Sequence, residues 1–462
     1  MSKEKQRLIR ELPGDVLTPV SAYLQLNGRN KCFLESSNKH EDSGRFSIIG
    51  QNPSFMLEKR NQTYQKVSLL NNHVEELDSN DLTGAIAEIM PKQNVNSELP
   101  LLDGLVGYVG YDVIREREKI GSYPTDDSQI ADVSFYYMDE IVIFDHLKQS
   151  VYVVVTQREN ETDNALQIRL DEILQDLQQP ASNYLDSYVS LGEFSSSVKK
   201  DQFIKEVKTL KQHILEGDIF QAVLSQRFEA PFEGNPFELY RKLRKKNPSP
   251  YMFYLDFPDQ QILGASPECY IKKQEMEVLT NPIAGTRKRG KTPDEDQALE
   301  KELVRNEKEL AEHDMLVDLG RNDLNMLCEA GSVTVTNYQK VVKYEHVMHL
   351  VSEVTGKLRN DVHELSPITA CLPAGTVSGA PKIRAMQLIN EAEPVKRAVY
   401  SGGIGYISSN YNFDFALAIR MMRIQDNKAF VQAGAGIVFD SEPEAEYEET
   451  VHKAKSIVGV LV

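Results

Sequence analysis

Two pairs of glutamates have the spacing to hold a hard cation. Glu309 and Glu312 stand three residues apart in an acidic segment, 300–319, that reads as one helix, and Glu446 and Glu449 repeat the interval in PEAEYEETVHKAKSIV. Side chains at i and i+3 leave a helix on one face, so two such helices set opposite each other would bring four carboxylates together. Mg²⁺ takes one or two carboxylates together with water and an anionic substrate. Solvated faces in a Glu-rich chain are the competing explanation.

Three glycine-rich segments are the next candidates: NPIAGTRKRG (281–290), PAGTVSGAPK (373–382) and QAGAG (432–436). Pro381 suits the first turn of a following helix, whose free N–H groups favour a carboxylate or phosphate nearby. In QAGAG the glycines let a ligand approach the backbone, but Ile437 follows where a dinucleotide fingerprint needs a third glycine and a helix start. His349 lies in an apolar, strand-like run, where a histidine is either a satisfied core residue or an acid or base. Arg420, ending a strand-like segment, and Lys453, one helical turn beyond Glu449, offer positive charge to an anionic ligand, or form surface salt bridges.

The elements that must position these residues change character along the chain. Residues 1–176 read mainly as strands and turns, with β-branched and aromatic runs at 45–50, 134–145 and 151–156. They close with an amphipathic helix at 162–177. The polar, Ser-rich stretch 177–200, with Pro180, reads as a linker. Beyond it, Asp201 is positioned to cap a helix that ends near Gly217, followed by a strand at 219–228. Helices and strands then alternate irregularly to the end of 201–462, which predicts an α+β fold of large, mainly antiparallel sheets flanked by helices.

Composition narrows the function classes. With 52 Lys+Arg against 69 Asp+Glu, the 462-residue chain carries a net charge of −17, which argues against nucleic acid and anionic membrane surfaces as partners. No stretch approaches the roughly 18 apolar residues of a membrane span, and the N-terminus lacks a signal-like apolar core, so a cytoplasmic location is expected. The four cysteines are far apart and fit reduced thiols.

Taken in order, PIAGTRKRG, EKELAEHDMLVDLGRND, HVMHLVS, AGTVSGAPKIRAMQLI, YSGGIGY and QAGAGIVFDSEPEAEYEET resemble the chorismate-utilising enzymes, and within them the anthranilate synthase large-subunit family. The resemblance runs from about Asp201 to the C-terminus, with weaker support from CFLESS (32–37) and GLVGYVGYD (104–112). It implies that Glu312 and Glu449 coordinate Mg²⁺, that Glu309 and Glu446 support it through water, and that the metal grips the ring carboxylate of chorismate. Gly285, Thr286, Tyr400 and Arg420 would line the substrate site, with Ala433, Gly434, Gly436 and Lys453. His349 would be the general acid/base, with Glu309 and Thr376 beside it among the catalytic groups.

Two positions discriminate within that family. Isochorismate and salicylate synthases carry a water-activating lysine where this chain has Gln221; aminodeoxychorismate synthases typically carry a lysine nucleophile where this chain has Ala284. What remains is ammonia adding to chorismate at C2 with loss of the 4-hydroxyl, then loss of pyruvate to give anthranilate. A component of aminodeoxychorismate synthase and a non-catalytic chorismate-binding regulator are the alternatives. The chain holds no recognisable glutaminase, so a separate glutamine amidotransferase subunit is implied as the ammonia source. The resemblance also implies an allosteric L-tryptophan site formed by Leu34, Glu35 and Ser36 with Pro250, Tyr251 and Met252. The chain contains no Trp, which fits a protein that must be made when tryptophan is scarce.

Overall fold

The computed structural model describes residues 5–36, 44–180, 188–344 and 347–459. The part of the expected linker at 181–187 and His346 of the HVMHLVS motif lie outside the described residues. The β-branched and aromatic runs form two antiparallel sheets, of thirteen and twelve strands among the described residues. The strand Glu140–Asp145 shows why they stack. Ile141 and Ile143 join Val106, Tyr136 and Leu255 in a core fed by both sheets, while Val142 and Phe144 face the opposite way, onto a core shared with the helices Asp163–Asp176 and Pro236–Lys246. The period-two alternation of a strand thus supplies both layers. The helix Glu307–Asn325 packs against the other sheet. The architecture is α+β, with large antiparallel sheets flanked by helices.

The two halves of the chain interleave. Cys32–Glu35 pairs on one side with Phe46–Gly50 and on the other with Tyr251–Asp256. Gly104–Val109 lies between Val133–Met138 and Gly403–Ser408. The boundary near 177–200 therefore divides the sequence and not the sheets. The run 134–145, read as one strand, is two: Val133–Met138 belongs to one sheet and Glu140–Asp145 to the other. The chain changes sheets at Asp139, whose buried carboxylate is held by Arg158 at 2.8 Å and Arg169 at 3.4 Å.

Two helix expectations are corrected. The acidic segment 300–319 is two helices, Pro293–Leu303 and Glu307–Asn325, because the Asn306 side chain caps the second by accepting from the Glu309 N–H. Asp201 is not a cap. Lys199 is the N-cap of the helix Lys200–Leu215, and Asp201 sits in its first turn, where a carboxylate interacts favourably with the helix dipole.

A buried ion pair clips three segments together. Arg397 and Glu393 are both nearly inaccessible and meet at 2.6 Å. Arg397 also donates to the carbonyls of Val223 and Val377, and Glu393 accepts from the N–H and hydroxyl of Ser225. Breaking such a pair leaves an uncompensated charge in the interior. Arg397→Met is expected to lower stability by about 3–5 kcal/mol, read as the shift of the urea midpoint; a shift under a quarter of that would show that the pair is dispensable.

Candidate active site

The segment expected to line the substrate is a strand with an irregularity. Ile283–Lys288 pairs with Val347–Lys357, and its register breaks at Gly285, where φ is +68°. A Cβ at this position would also lie 3.1 Å from Leu303 Cδ1 and 3.3 Å from Glu309 Oε2. Glycine meets both the backbone and the space requirement. The break turns the Gly285 carbonyl toward His349, whose Nδ1–H donates to it at 3.0 Å and lies 3.1 Å from Thr286 Oγ1. That bond places the proton on Nδ1 and leaves Nε2, buried and without a partner among the described residues, as the free lone pair. Burial, with the nearby Arg420 charge, pushes His349 down to about 4, so the imidazole is neutral at pH 7. In this state it is a base.

Glu309 and Glu312 leave the first turns of Glu307–Asn325, and Glu446 and Glu449 leave Pro443–Val458. The two helices bring these carboxylates within mutual influence. Burial pushes Glu312 above its ordinary value, with Glu309 and Glu449 adding repulsion and Lys308 and Lys453 opposing it. Burial and Glu449 act likewise on Glu446. Lys453 bridges the helix to the glycine strand, reaching Glu449 Oε1 at 2.8 Å and the Gly434 carbonyl at 2.9 Å. The four glutamates are not closed into a coordination shell. Among the described residues, the trio with ligand atoms all within 4.8 Å is His213, Glu216 and Asp218, where Asp218 is already paired with His213 and Arg384. Hard oxygens that burial and mutual repulsion push toward protonation are nevertheless the donor set that suits Mg²⁺.

The opposite wall comes from Lys428–Ile437, which pairs with Gln221–Gly234. It carries buried Ala433 together with Gly434 and Gly436. A Cβ on Gly434 would sit 3.1 Å from the Tyr400 hydroxyl, and one on Gly436 would sit 2.8 Å from Gln221 Nε2. The glycines thus let Tyr400 and Gln221 close over the strand. Arg420 connects this wall to the histidine. It adopts φ +50° at the junction between Phe413–Leu417 and Met421–Gln425. Its side chain has no hydrogen bond or ion pair among the described residues, and burial lowers its pKa. A desolvated, unpaired guanidinium favours an incoming carboxylate.

One candidate group escaped the sequence reading. Glu268 follows the strand Gln261–Ser266, is buried, and accepts a hydrogen bond from Thr376 Oγ1 at 2.8 Å. Burial pushes it up to about 8, against the pull of Thr376 and Arg420. At neutral pH it is a carboxylic acid with a proton to give. The signal was present as a lone carboxylate inside the apolar run ILGASPECY.

The expected effector residues also come together, because Met252 lies opposite Glu35 and Phe253 opposite Leu34. Ser36 Oγ is buried and lacks a partner among the described residues. Tyr251 is tied to Asp414 at 2.9 Å, and Pro250 precedes it on the approach to the strand. The Glu35 carboxylate is not vacant: the Tyr240 hydroxyl donates to Oε1 at 2.6 Å and Arg244 Nε at 2.5 Å.

A family profile described as chorismate binding enzyme matches residues 29–459. The chain belongs to the chorismate-binding enzyme family. It is 43% identical over 468 residues to anthranilate synthase component 1 of Acetivibrio thermocellus, covering 98% of this chain and 94% of the relative. The same component of Lactococcus lactis subsp. lactis is 43% identical over 461 residues, with coverage of 98% and 99%. Among solved structures, anthranilate synthase component I from Streptococcus pneumoniae superposes with a TM-score of 0.84 at 43% identity, covering 97% of this chain and 99% of that one. The menaquinone-specific isochorismate synthase of Escherichia coli shares the fold, with a TM-score of 0.75 at 18% identity, 100% of this chain and 97% of that one.

Proposed function

We propose that this chain is the component of an anthranilate synthase that converts chorismate and ammonia to anthranilate and pyruvate, a step in tryptophan biosynthesis. The observation that carries the reading is the pair Gln221 and Ala284. Gln221 lies against Gly436 and Ala284 is buried beside Gly285, so neither position offers a water-activating base or a lysine nucleophile. Ammonia from outside the chain is then the attacking group.

The proton inventory fits. Protonated Glu268, steadied by Thr376, supplies the proton with which the 4-hydroxyl departs as water while ammonia bonds to C2. Neutral His349 then accepts at Nε2 the C2 proton, the electrons of that C–H bond complete the ring, and the C3–O bond breaks to expel the enolate of pyruvate. The enolate becomes pyruvate by taking up a proton at its methylene carbon as His349 returns to its neutral form. Arg420 holds a substrate carboxylate, with Tyr400 and the Gly434–Gly436 strand beside it. Mg²⁺, held by Glu312 and Glu449 with Glu309 and Glu446 behind them, would supply positive charge to the ring carboxylate. Gly285, Thr286, Ala433 and Lys453 shape the remaining walls.

A glutamine amidotransferase subunit is the proposed ammonia source, and L-tryptophan binding at Ser36, Pro250, Tyr251 and Met252 the proposed brake. Occupied Glu35 implies that a ligand ammonium must exchange with Arg244. No helix among the described residues is long and apolar enough to cross a membrane, and a cytoplasmic location is part of the proposal.

Incubation of the purified chain with chorismate, Mg²⁺ and an ammonium salt tests the reading. Anthranilate fluorescence with equimolar pyruvate, suppressed by L-tryptophan, is expected. Accumulation of aminodeoxychorismate without pyruvate would assign the chain to the other amination. Met252→Thr is expected to relieve the suppression without lowering uninhibited turnover; unchanged suppression would move the effector site elsewhere.

A further inference from the structure

Arg287 stands between the carboxylates and the substrate loop. On the strand Ile283–Lys288 it immediately follows Thr286, and its guanidinium makes four bonds. Nη1 donates to Glu309 Oε1 at 2.8 Å and to the Thr286 carbonyl at 2.8 Å. Nε and Nη2 grip both oxygens of Glu302 at 2.7 and 2.8 Å. Glu302 belongs to Pro293–Leu303 and Glu309 to Glu307–Asn325, so one side chain joins two helices to the loop. The far side of Thr286 and Gly285 is bonded to His349.

This arrangement makes Arg287 a resident cation on Glu309. A divalent ion entering among Glu309, Glu312 and Glu449 meets one carboxylate already neutralised and a positive charge beside it. Glu302, half exposed, gives the guanidinium a second place to rest when Glu309 is claimed. Any such shift pulls on the Thr286 carbonyl, and through it on the loop that holds His349. We infer that Arg287 is a positioning residue that links cation occupancy at Glu309 to the setting of the Gly285–Thr286 substrate loop. The inference rests on the magnesium and chorismate reading above. By thermodynamic reciprocity, the cation and chorismate then tighten each other equally.

Calorimetric titration of Mg²⁺ into the full chain, with and without chorismate in ammonia-free buffer, tests it. In the unsubstituted chain chorismate is expected to tighten Mg²⁺ by about fivefold or more. Arg287→Met removes the competing charge and the link: Mg²⁺ binding without chorismate is expected to tighten by roughly threefold, while the chorismate effect falls to near unity. Glu302→Gln leaves Arg287 committed to Glu309 and is expected to weaken Mg²⁺ with the chorismate effect retained. Arg287→Lys restores part of the link. Opposite signs in two variants with parental circular dichroism and melting are not the mark of general loosening. Unchanged or weaker Mg²⁺ binding in Arg287→Met, with the chorismate effect intact, would overturn the inference alone. Failure of the unsubstituted chain to bind Mg²⁺ would overturn the metal reading and this inference together.

Discussion

Glu268→Gln is expected to lower kcat for anthranilate formation by about a thousandfold, the middle of the range that a general acid contributes, and to change the KM for chorismate little. The amide can still accept from Thr376, so the site keeps its shape, but it has no acidic proton for the departing hydroxyl. The pH dependence follows from the same burial. Glu268 titrates at about 8 in the fold and near 4.5 when unperturbed. Activity that needs its acid form falls as pH rises through about 8. Stability behaves differently. Between those two values the folded chain holds a proton that the unfolded chain has released, so this group's contribution declines with rising pH and levels off above the folded value. Glu268→Gln should flatten that slope as well as remove turnover. A variant with near-parental kcat would return the acid role to another group.

Glu312→Gln and Glu449→Gln are expected to abolish Mg²⁺-dependent turnover, with losses of about two orders of magnitude or more for removal of a group acting directly on transition-state charge. Glu312→Gln is also expected to melt no lower than the parent. Its carboxylate is pushed up by burial and by Glu309 and Glu449, so at neutral pH its charge opposes folding in the absence of a cation. Loss of activity with preserved or raised melting temperature marks a group retained for function at the expense of stability. A fall in both would instead make Glu312 a structural residue, and full activity in either variant would remove the metal assignment.

What was legible in the residues was what is local. The i, i+3 glutamates, the glycine segments and His349 each depend on a few neighbouring positions, and the structure places them on two helices whose carboxylates influence one another, on paired strands and opposite a strand break. What depended on distant partners was hidden. Glu268 is an acid because the fold buries it, against the opposing pull of Thr376, its hydrogen-bond partner more than a hundred residues away. Glu35 is occupied because helix Pro236–Lys246 delivers Tyr240 and Arg244 to it. The run at 134–145 shows one uninterrupted strand pattern, because a strand that changes sheets keeps the same alternation on either side of Asp139.

The interleaving of the sheets bears on how the protein is made. Gly104–Val109 finds its neighbour Gly403–Ser408 only after some three hundred further residues have been added. At about 5–20 residues per second on the ribosome, that edge waits for roughly 15–60 s with its backbone groups unpaired. Cys32–Glu35 waits similarly for Tyr251–Asp256. Nascent chains should therefore engage holding chaperones through these early strands until translation is nearly complete, and an N-terminal fragment ending before residue 200 is expected to aggregate.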